Sequence, residues 1–254
     1  MKFIRFRSKE TIYQGVLTEE EIRGIEGDLF SNWSYTGKTF SIKDVTLLAP
    51  LEPNQVIGIG ANFIATEADR PAEVPTMPVF FFKATSSVIG PEADIVIPSG
   101  VEQVKFESEL AVVIGKTAKN IAEEDVFDYV FGYTVGNDVT CPDYFHENGH
   151  WTLGKSFDTF TPLGPLIETD VDPLNVSVKA TLNGEEKQNS HVQLMIVSTQ
   201  RMISYLSHVM TLTPGDVILT GSPVGAEMIQ TNDDIACTID EIGTLQNRFV
   251  SASK

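Results

Sequence analysis

The sequence predicts a mainly β fold with some α structure (α+β), a mixed β roll or sandwich rather than a doubly wound sheet. Three observations carry this. Many short apolar runs are punctuated by Gly, Pro and Asn-Gly. Only one segment has convincing long helical spacing. Strands and helices do not alternate regularly, as a parallel α/β sheet would require.

Along the chain, "KFIRFR" and "TIYQGVL" read as two strands joined by a turn. "TEEEIRGIEG" predicts a short helix, with Thr18 as cap, acids in the first turn and glycines near its end. Pro50 and Pro53 mark a junction, so residues 1–51 read as a small N-terminal region and 52–254 as the main domain. "QVIGIGANF" and "PVFFFK" read as buried strands, followed by "FESELAVVIG" and "YVFGYTVGNDVT". Between these last two, "NIAEEDVFDYV" has helical spacing and an Asn120 cap. Asn183-Gly184 between alternating runs predicts a hairpin. "MIVSTQRMISYLSHVM" is the best helix, with apolar Met195, Ile196, Met202, Ile203 and Leu206. "TPGDVILTG" and "DIACTIDEIGTLQNRFV" complete the strands.

The 254 residues suffice for a core of normal size. Asp and Glu number 35 against 18 Lys and Arg, a formal net charge of -17. Such a surface repels phosphate backbones, so no nucleic-acid partner is expected. The two cysteines, Cys141 and Cys237, lack disulfide-framework or zinc spacing and read as reduced thiols. No apolar run approaches the roughly 20 residues that cross a bilayer, and the N-terminus lacks a signal peptide's apolar region. A cytoplasmic protein with no membrane partner is the expectation.

The chemistry centres on "FESELA". Glu107 and Glu109 are two apart, so in a strand they project side by side. Two such anions repel unless a cation lies between them. On a wet strand face the pattern means little, but here it runs straight into "LAVVIG", which reads as buried. A third acid, Asp138, ends another apolar strand beside glycine. Three carboxylates without nearby imidazole or thiolate make a hard, oxygen-only set suited to Mg²⁺, Mn²⁺ or Ca²⁺. Lys83 closes "VFFFK", Lys155 sits in the loop-like "WTLGKSFDTF", and "LTGSPVG" is a tight turn with Thr220 and Ser222 hydroxyls. Each lysine read alone is a surface charge, and the turn read alone ends a strand.

"GIGANF", "FFKATSSVIGP", "FESELAVVIGK", "FGYTVGNDVT", "GKSFDTFTPLGP", "NGEEKQ", "PGDVILTGSPVG" and "IGTLQNRF" occur in one order. That order resembles the fumarylacetoacetate hydrolase family over about residues 52–250, and the opening "RFR…GVL…LLAPLEP" resembles the small N-terminal region of bacterial members. The resemblance implies a mixed β-sandwich roll, a homodimer and a bound Mg²⁺ or Mn²⁺, with Ca²⁺ as a substitute. It implies Glu107, Glu109 and Asp138 as metal ligands, Lys155 as the active-site lysine, and substrate contacts from Asn62, Lys83, Asp69 and Ser222. The implied substrates are small 2-oxo acids and their enols.

Three activities stay open. The first is a metal-dependent hydrolase cleaving a C–C bond of an acylpyruvate. The second is a decarboxylase or keto–enol isomerase acting on a 2-oxo diacid such as oxaloacetate or 2-hydroxyhepta-2,4-diene-1,7-dioate. The third is a metal-binding homologue without catalysis. Hydrolytic members carry a His-x-x-Glu pattern in a lid segment, where this chain reads "NFIATEADR", with Thr66 and Asp69 at those positions. Thr has no useful pKa, and Asp69 or Glu67 would serve as base only with a raised pKa. Pro142 and Leu153 stand where members often carry Arg. His146 and His150 are the histidines nearest Lys155 in sequence, read as exposed loop residues or an alternative base.

Overall fold

The structure is a computed structural model that describes residues 1–252. The chain runs through β1 (Lys2–Ser8), β2 (Thr11–Leu17), β3 (Ile22–Gly27), β4 (Trp33–Phe40) and a short β5 (Thr46–Leu47). It continues as β6 (Val56–Gly60), β7 (Val79–Lys83), β8 (Val88–Ile89), β9 (Asp94–Ile97), β10 (Ser108–Ile114), β11 (Val130–Asn137) and β12 (Thr161–Glu168). Last come β13 (Ser177–Leu182), β14 (Glu185–His191), helix α1 (Thr199–Val209), β15 (Val217–Leu219), β16 (Asp234–Ile239) and β17 (Gly243–Ser251).

These strands form a 12-stranded and a 5-stranded sheet. The large sheet runs β4-β3-β2-β1-β12-β11-β10-β15-β6-β7, and the small one β14-β13-β16-β17-β9. The small sheet packs through β13, β16 and β17 onto β10, β11 and β12. The mainly β, mixed roll expected from the sequence is therefore the fold. The N-terminal strands are part of the same large sheet, because β1 pairs antiparallel with β12.

Strand β10 is central and apolar on both faces. Leu110, Val112 and Ile114 enter the main core, while Ala111 and Val113 enter a second one with Phe3, Val16 and Ile25. Both faces are covered, so the segment reads as a continuous apolar run rather than an alternating one. A polar group on this strand is then forced into the interior.

Asn183 and Gly184 both have positive φ, 52° and 82°, and close the β13–β14 hairpin as expected. Four expectations are corrected. "TEEEIRGIEG" is not a helix. Thr18 caps only a turn, its hydroxyl accepting from the Glu21 N–H at 3.1 Å. The residues after it form β3, because β2 and β4 flank them and supply hydrogen bonds on both sides. "NIAEEDVFDYV" holds only a 3-10 segment over Glu123–Tyr129, and Asn120, at φ 54°, is a turn residue rather than its cap. The main helix begins later than its apolar spacing implied. Ser198 caps it by accepting from the Arg201 N–H, which leaves Met195 and Ile196 ahead of it. Met202, Ile203 and Leu206 do face the core. Strand β7, at the sheet edge, is only partly buried: Phe81 and Lys83 are buried, while Val79 and Phe82 are exposed.

Candidate metal centre

The site lies where several strand ends meet. In the antiparallel β10–β11 pair, Ser108 faces Asn137, so the start of one strand adjoins the end of the other. Glu107 and Glu109 flank Ser108, and Asp138 follows Asn137. The Asn137 side chain accepts from the Glu107 N–H at 2.9 Å, and the Asp138 N–H donates to the Glu107 carbonyl at 2.8 Å. Strand β15 lies on the other side of β10, with Leu219 opposite Ala111. The turn Thr220–Ser222 therefore reaches Glu109, and the Gly221 N–H donates to Glu109 Oε2 at 2.7 Å. Gly221 has φ 103°, and a Cβ there would stand 2.6 Å from the Cβ of Asn62, so both conformation and space call for glycine.

Glu107, Glu109 and Asp138 are all buried, and each offers a carboxylate oxygen within 4.8 Å of the others. Two buried lysines join them. Lys155 Nζ donates to Glu107 Oε2 at 2.6 Å and to Asp138 Oδ2, and it sits 4.7 Å from the centroid of the Phe81 ring. Lys83 Nζ donates to Asp138 Oδ1 at 2.6 Å and to the Val139 carbonyl at 3.2 Å. Lys105 stands at the rim, its Nζ 2.5 Å from Glu107 Oε1.

The charges are unevenly shared. Burial opposes ionising Asp138, yet Lys155 and Lys83 outweigh it and hold this carboxyl below its ordinary value. Burial likewise opposes the Lys155 charge, but Asp138 and Glu107 reverse that and push its pKa up, so it stays an ammonium. For Lys83 burial wins, and its pKa falls. Glu109 touches no lysine. Burial first, and the charge of Asp138 next, raise its carboxyl well above the usual range. A buried all-oxygen cluster, with one member starved of positive charge, fits a hard dication. Glu107, Glu109 and Asp138 are the residues that could hold it. They form such an acidic cluster within the described part of the chain.

The cluster opens into a cavity of about 340 Å³. Lys105, Lys155 and Ser222 line it beside the acids, and Ile59, Gly60, Phe145 and Trp151 supply apolar wall. The Phe145 and Trp151 rings stack, with centroids 5.3 Å apart and planes at 10°. Trp151 covers Gly60 so closely that a Cβ there would meet its ring at 2.1 Å.

The other expected site residues lie elsewhere. Asn62 is buried, and its amide is spent on backbone: Nδ2 donates to the Val197 and Thr220 carbonyls, and Oδ1 accepts from the Val197 N–H. Asp69 is exposed, its Oδ2 accepting from the N–H and hydroxyl of Thr66 at 3.0 and 2.8 Å. It does not line the cavity. Glu67 cannot be the raised carboxyl considered above, because its hydrogen bonds to Arg70 hold it below the usual value. His146 and His150 are exposed and off the cavity wall.

Sequence reasoning missed Lys105 and Gln188. Lys105 could have been found, since Lys-x-Glu-x-Glu repeats at the strand period of two. Gln188 is buried on β14 and closes the "NGEEKQ" phrase, which reads as part of the hairpin and does not single it out as a site residue. Its Nε2 donates to Ser222 Oγ at 2.8 Å and its Oε1 accepts from the Ser108 N–H at 3.0 Å, so it ties the small sheet to the site.

A β roll with buried acids and lysines around a small cavity has the make-up of a small-molecule enzyme. The chain belongs to the fumarylacetoacetate hydrolase family. Residues 55–250 match the model "Fumarylacetoacetate (FAA) hydrolase C-terminal", and residues 1–50 match "Rv2993c-like, N-terminal". The chain is 42% identical over 223 residues to oxaloacetate tautomerase fahd2, mitochondrial, of Xenopus laevis, covering 83% of this chain and 70% of that protein. It resembles the crystal structure of 5-carboxymethyl-2-hydroxymuconate delta-isomerase from Mycobacterium smegmatis at a TM-score of 0.92 and 36% identity, covering 99% and 100% of the two chains. It also resembles maleylpyruvate hydrolase from Sphingobium sp. SYK-6, solved with manganese(II) and pyruvate. There the TM-score is 0.84, the identity 27%, and the coverage 100% of both chains. Family relatives are thus hydrolases, isomerases and tautomerases. No helix among the described residues is long and apolar enough to cross a membrane.

Asp138→Asn in the metal-free protein is expected to cost about 3–5 kcal/mol at neutral pH, because it leaves two buried ammonium groups short of an anion. The folded pKa of Asp138 lies below its ordinary 3.8, so its contribution is full above that pH and is lost as pH falls through the folded value. Denaturant melts at pH 7 and pH 3 check this. A gap that does not shrink in acid would refute the assignment.

Proposed function

We propose that the chain is a divalent-metal-dependent keto–enol tautomerase of a short 2-oxo acid of the oxaloacetate kind. One observation carries the reading. The titratable groups lining the cavity are Lys105, Glu107, Glu109, Asp138 and Lys155, and with the three acids assigned to the metal none is left over as a base to activate water. The Thr66–Asp69 pair, where hydrolytic members carry His and Glu, is closed on itself away from the cavity. Tautomerisation needs no attacking water. The similarity to an oxaloacetate tautomerase and to a muconate isomerase supports it further.

Glu107, Glu109 and Asp138 would hold Mg²⁺ or Mn²⁺, which when bound supplies Lewis-acid polarisation of the 2-oxo acid's oxygens. Lys155 stays cationic and places fixed charge beside the enolate oxygen as it forms. Ser222 Oγ accepts from Gln188 Nε2 at 2.8 Å, which fixes the hydroxyl on the cavity wall within reach of a substrate oxygen. The hydrogen on C3 of such an acid is acidified by the keto carbonyl, the second carboxyl group and the bound cation, and it leaves to solvent at the cavity mouth. A proton returned from water to the enolate oxygen completes the enol, and atoms balance. Phe145 and Trp151 restrict water to that mouth.

The hydrolase reading keeps one point in its favour, the likeness to maleylpyruvate hydrolase over the whole chain. Purified protein with Mg²⁺ and oxaloacetate, acetylpyruvate, fumarylpyruvate or a hydroxymuconate decides between them. Tautomerisation is expected as a faster change in enol absorbance on oxaloacetate, with neither CO₂ nor acid fragments. Acid fragments alone would establish hydrolysis, and CO₂ release decarboxylation.

The metal assignment has its own check. Glu109 has a folded pKa above its ordinary 4.5, so its ionisation destabilises the metal-free protein increasingly as pH rises above that value. Glu109→Gln should therefore raise the melting temperature in chelator at pH 7. It should also remove the stabilisation by excess Mg²⁺, which is about 2.7 kcal/mol at a hundredfold excess over Kd. Equal Mg²⁺ stabilisation in variant and wild type would refute Glu109 as a ligand.

A homodimer is part of the same proposal. Edge strand β7 pairs only with β6, and Val79 and Phe82, with Met77 just before them, are exposed apolar side chains. An uncovered apolar edge is an association surface, and a second copy is the occupant we assign. Light scattering is expected to give twice the 27.9 kDa chain mass, falling toward one chain for Phe82→Glu. A monomeric wild type would overturn it.

A further inference from the structure

We propose that Lys105 is the specificity residue of this site, holding the far carboxylate of a dicarboxylic substrate and so selecting short 2-oxo diacids over 2-oxo monoacids. The inference deepens the tautomerase reading and rests on it for the nature of the reacting end.

Three lysines approach the acid cluster, and two of them are already pinned by two buried hydrogen bonds each. Lys83 is wholly buried and is spent on Asp138 and the Val139 carbonyl. It does not line the cavity. Lys155 lines it, but its ammonium is divided between Glu107, Asp138 and the Phe81 ring. Lys105 differs. Its side chain is 29% exposed, it lines the cavity, and its one ion-pair partner among the described residues is Glu107 Oε1. An ammonium has three N–H donors, so two remain for an incoming anion.

Its position is fixed from the backbone. The Lys105 N–H donates to the Thr140 carbonyl at 2.9 Å, and its carbonyl accepts from the Thr140 N–H at 3.0 Å. The ammonium therefore stands one carboxylate away from the cluster, on the outer oxygen of Glu107. A substrate gripped at the acid cluster by its 2-oxo acid end has its far end close to Lys105 only if few atoms separate the two ends. That favours a short diacid. The remaining wall, Ile59, Phe145, Trp151 and Pro223, offers nothing charged to a second carboxylate. The net charge of -17 raises the need for such a local cation, because the protein's overall field repels a dianion.

The test is a binding preference measured by calorimetry on the Mg²⁺-loaded chain with unreactive probes. Malate and 2-hydroxybutyrate differ only in a carboxylate for a methyl at the far end. Wild type should bind malate at least about tenfold more tightly. Lys105→Met, which keeps the stem, should reduce that ratio to about one by weakening malate alone, and Lys105→Arg should restore most of it. In turnover, Lys105→Met should raise KM for oxaloacetate about tenfold or more with little change in kcat, and leave KM for 2-oxobutyrate unchanged. Equal affinity of wild type for both probes, or an unaltered ratio in a folded Lys105→Met, overturns the proposal. If the probes discriminate as expected but oxaloacetate is not tautomerised, the reaction assigned above fails while Lys105 keeps its role.

Discussion

Three carboxylates and two ammonium groups lie together in a mainly apolar interior, and the balance among these five charges governs the site. Removing an ion from water costs several kcal/mol, and a partner offsets this only when geometry is close. Asp138 meets that condition twice, with Lys155 and with Lys83. Glu107 meets it with Lys155 and at the rim with Lys105. Glu109 has only the Gly221 N–H. The deficit on Glu109 makes the cluster receptive to a further cation, and the two buried lysines keep it from collapsing when none is bound.

The fold supplies what this balance requires. Strand β10 has both faces covered, so acids at its beginning cannot turn outward. Antiparallel pairing sets Asp138 beside them, and β15 returns on the other side with its Thr220–Ser222 turn. The small sheet contributes Gln188, which spans the sheets and holds both the Ser108 backbone and the Ser222 hydroxyl. The three acids are thus set at strand ends, while Lys155 reaches them from the turn ahead of β12.

Against that rigid floor the upper wall differs from the hydrolytic pattern. The segment after β6 has Thr66 and Asp69 bonded to each other, and Arg70 fastened to the Met195 and Gln193 carbonyls. This turn is tied down by its own polar groups, and none of them points chemistry into the cavity. In the tautomerase reading we propose, such a site would stabilise an enolate by charge and leave water as the proton carrier. Relatives of this chain under hydrolase, isomerase and tautomerase names are consistent with one charged floor serving several reactions, chosen by the groups above it.

Much was legible in the sequence because it depends on local spacing. The strand-rich roll, the Asn183-Gly184 hairpin, the apolar run of β10 and the pairing of Glu107 with Glu109 are patterns within a dozen residues. Where local signals conflicted with neighbours, neighbours won. A capped, acid-led stretch became β3 because two flanking strands offered it hydrogen bonds, and "PVFFFK" was half exposed because it lies at an edge. Asn62 read as a substrate residue, but its amide is consumed by two carbonyls and an N–H that only the folded chain brings within reach. Residue types and periodicity thus determined the class of fold and the acid trio as candidates. The tertiary structure alone decided which lysines are clamped, which one stays free and what faces the cavity. Electrostatic neighbours across 30 or 80 residues of chain are set by packing, which no window of sequence records.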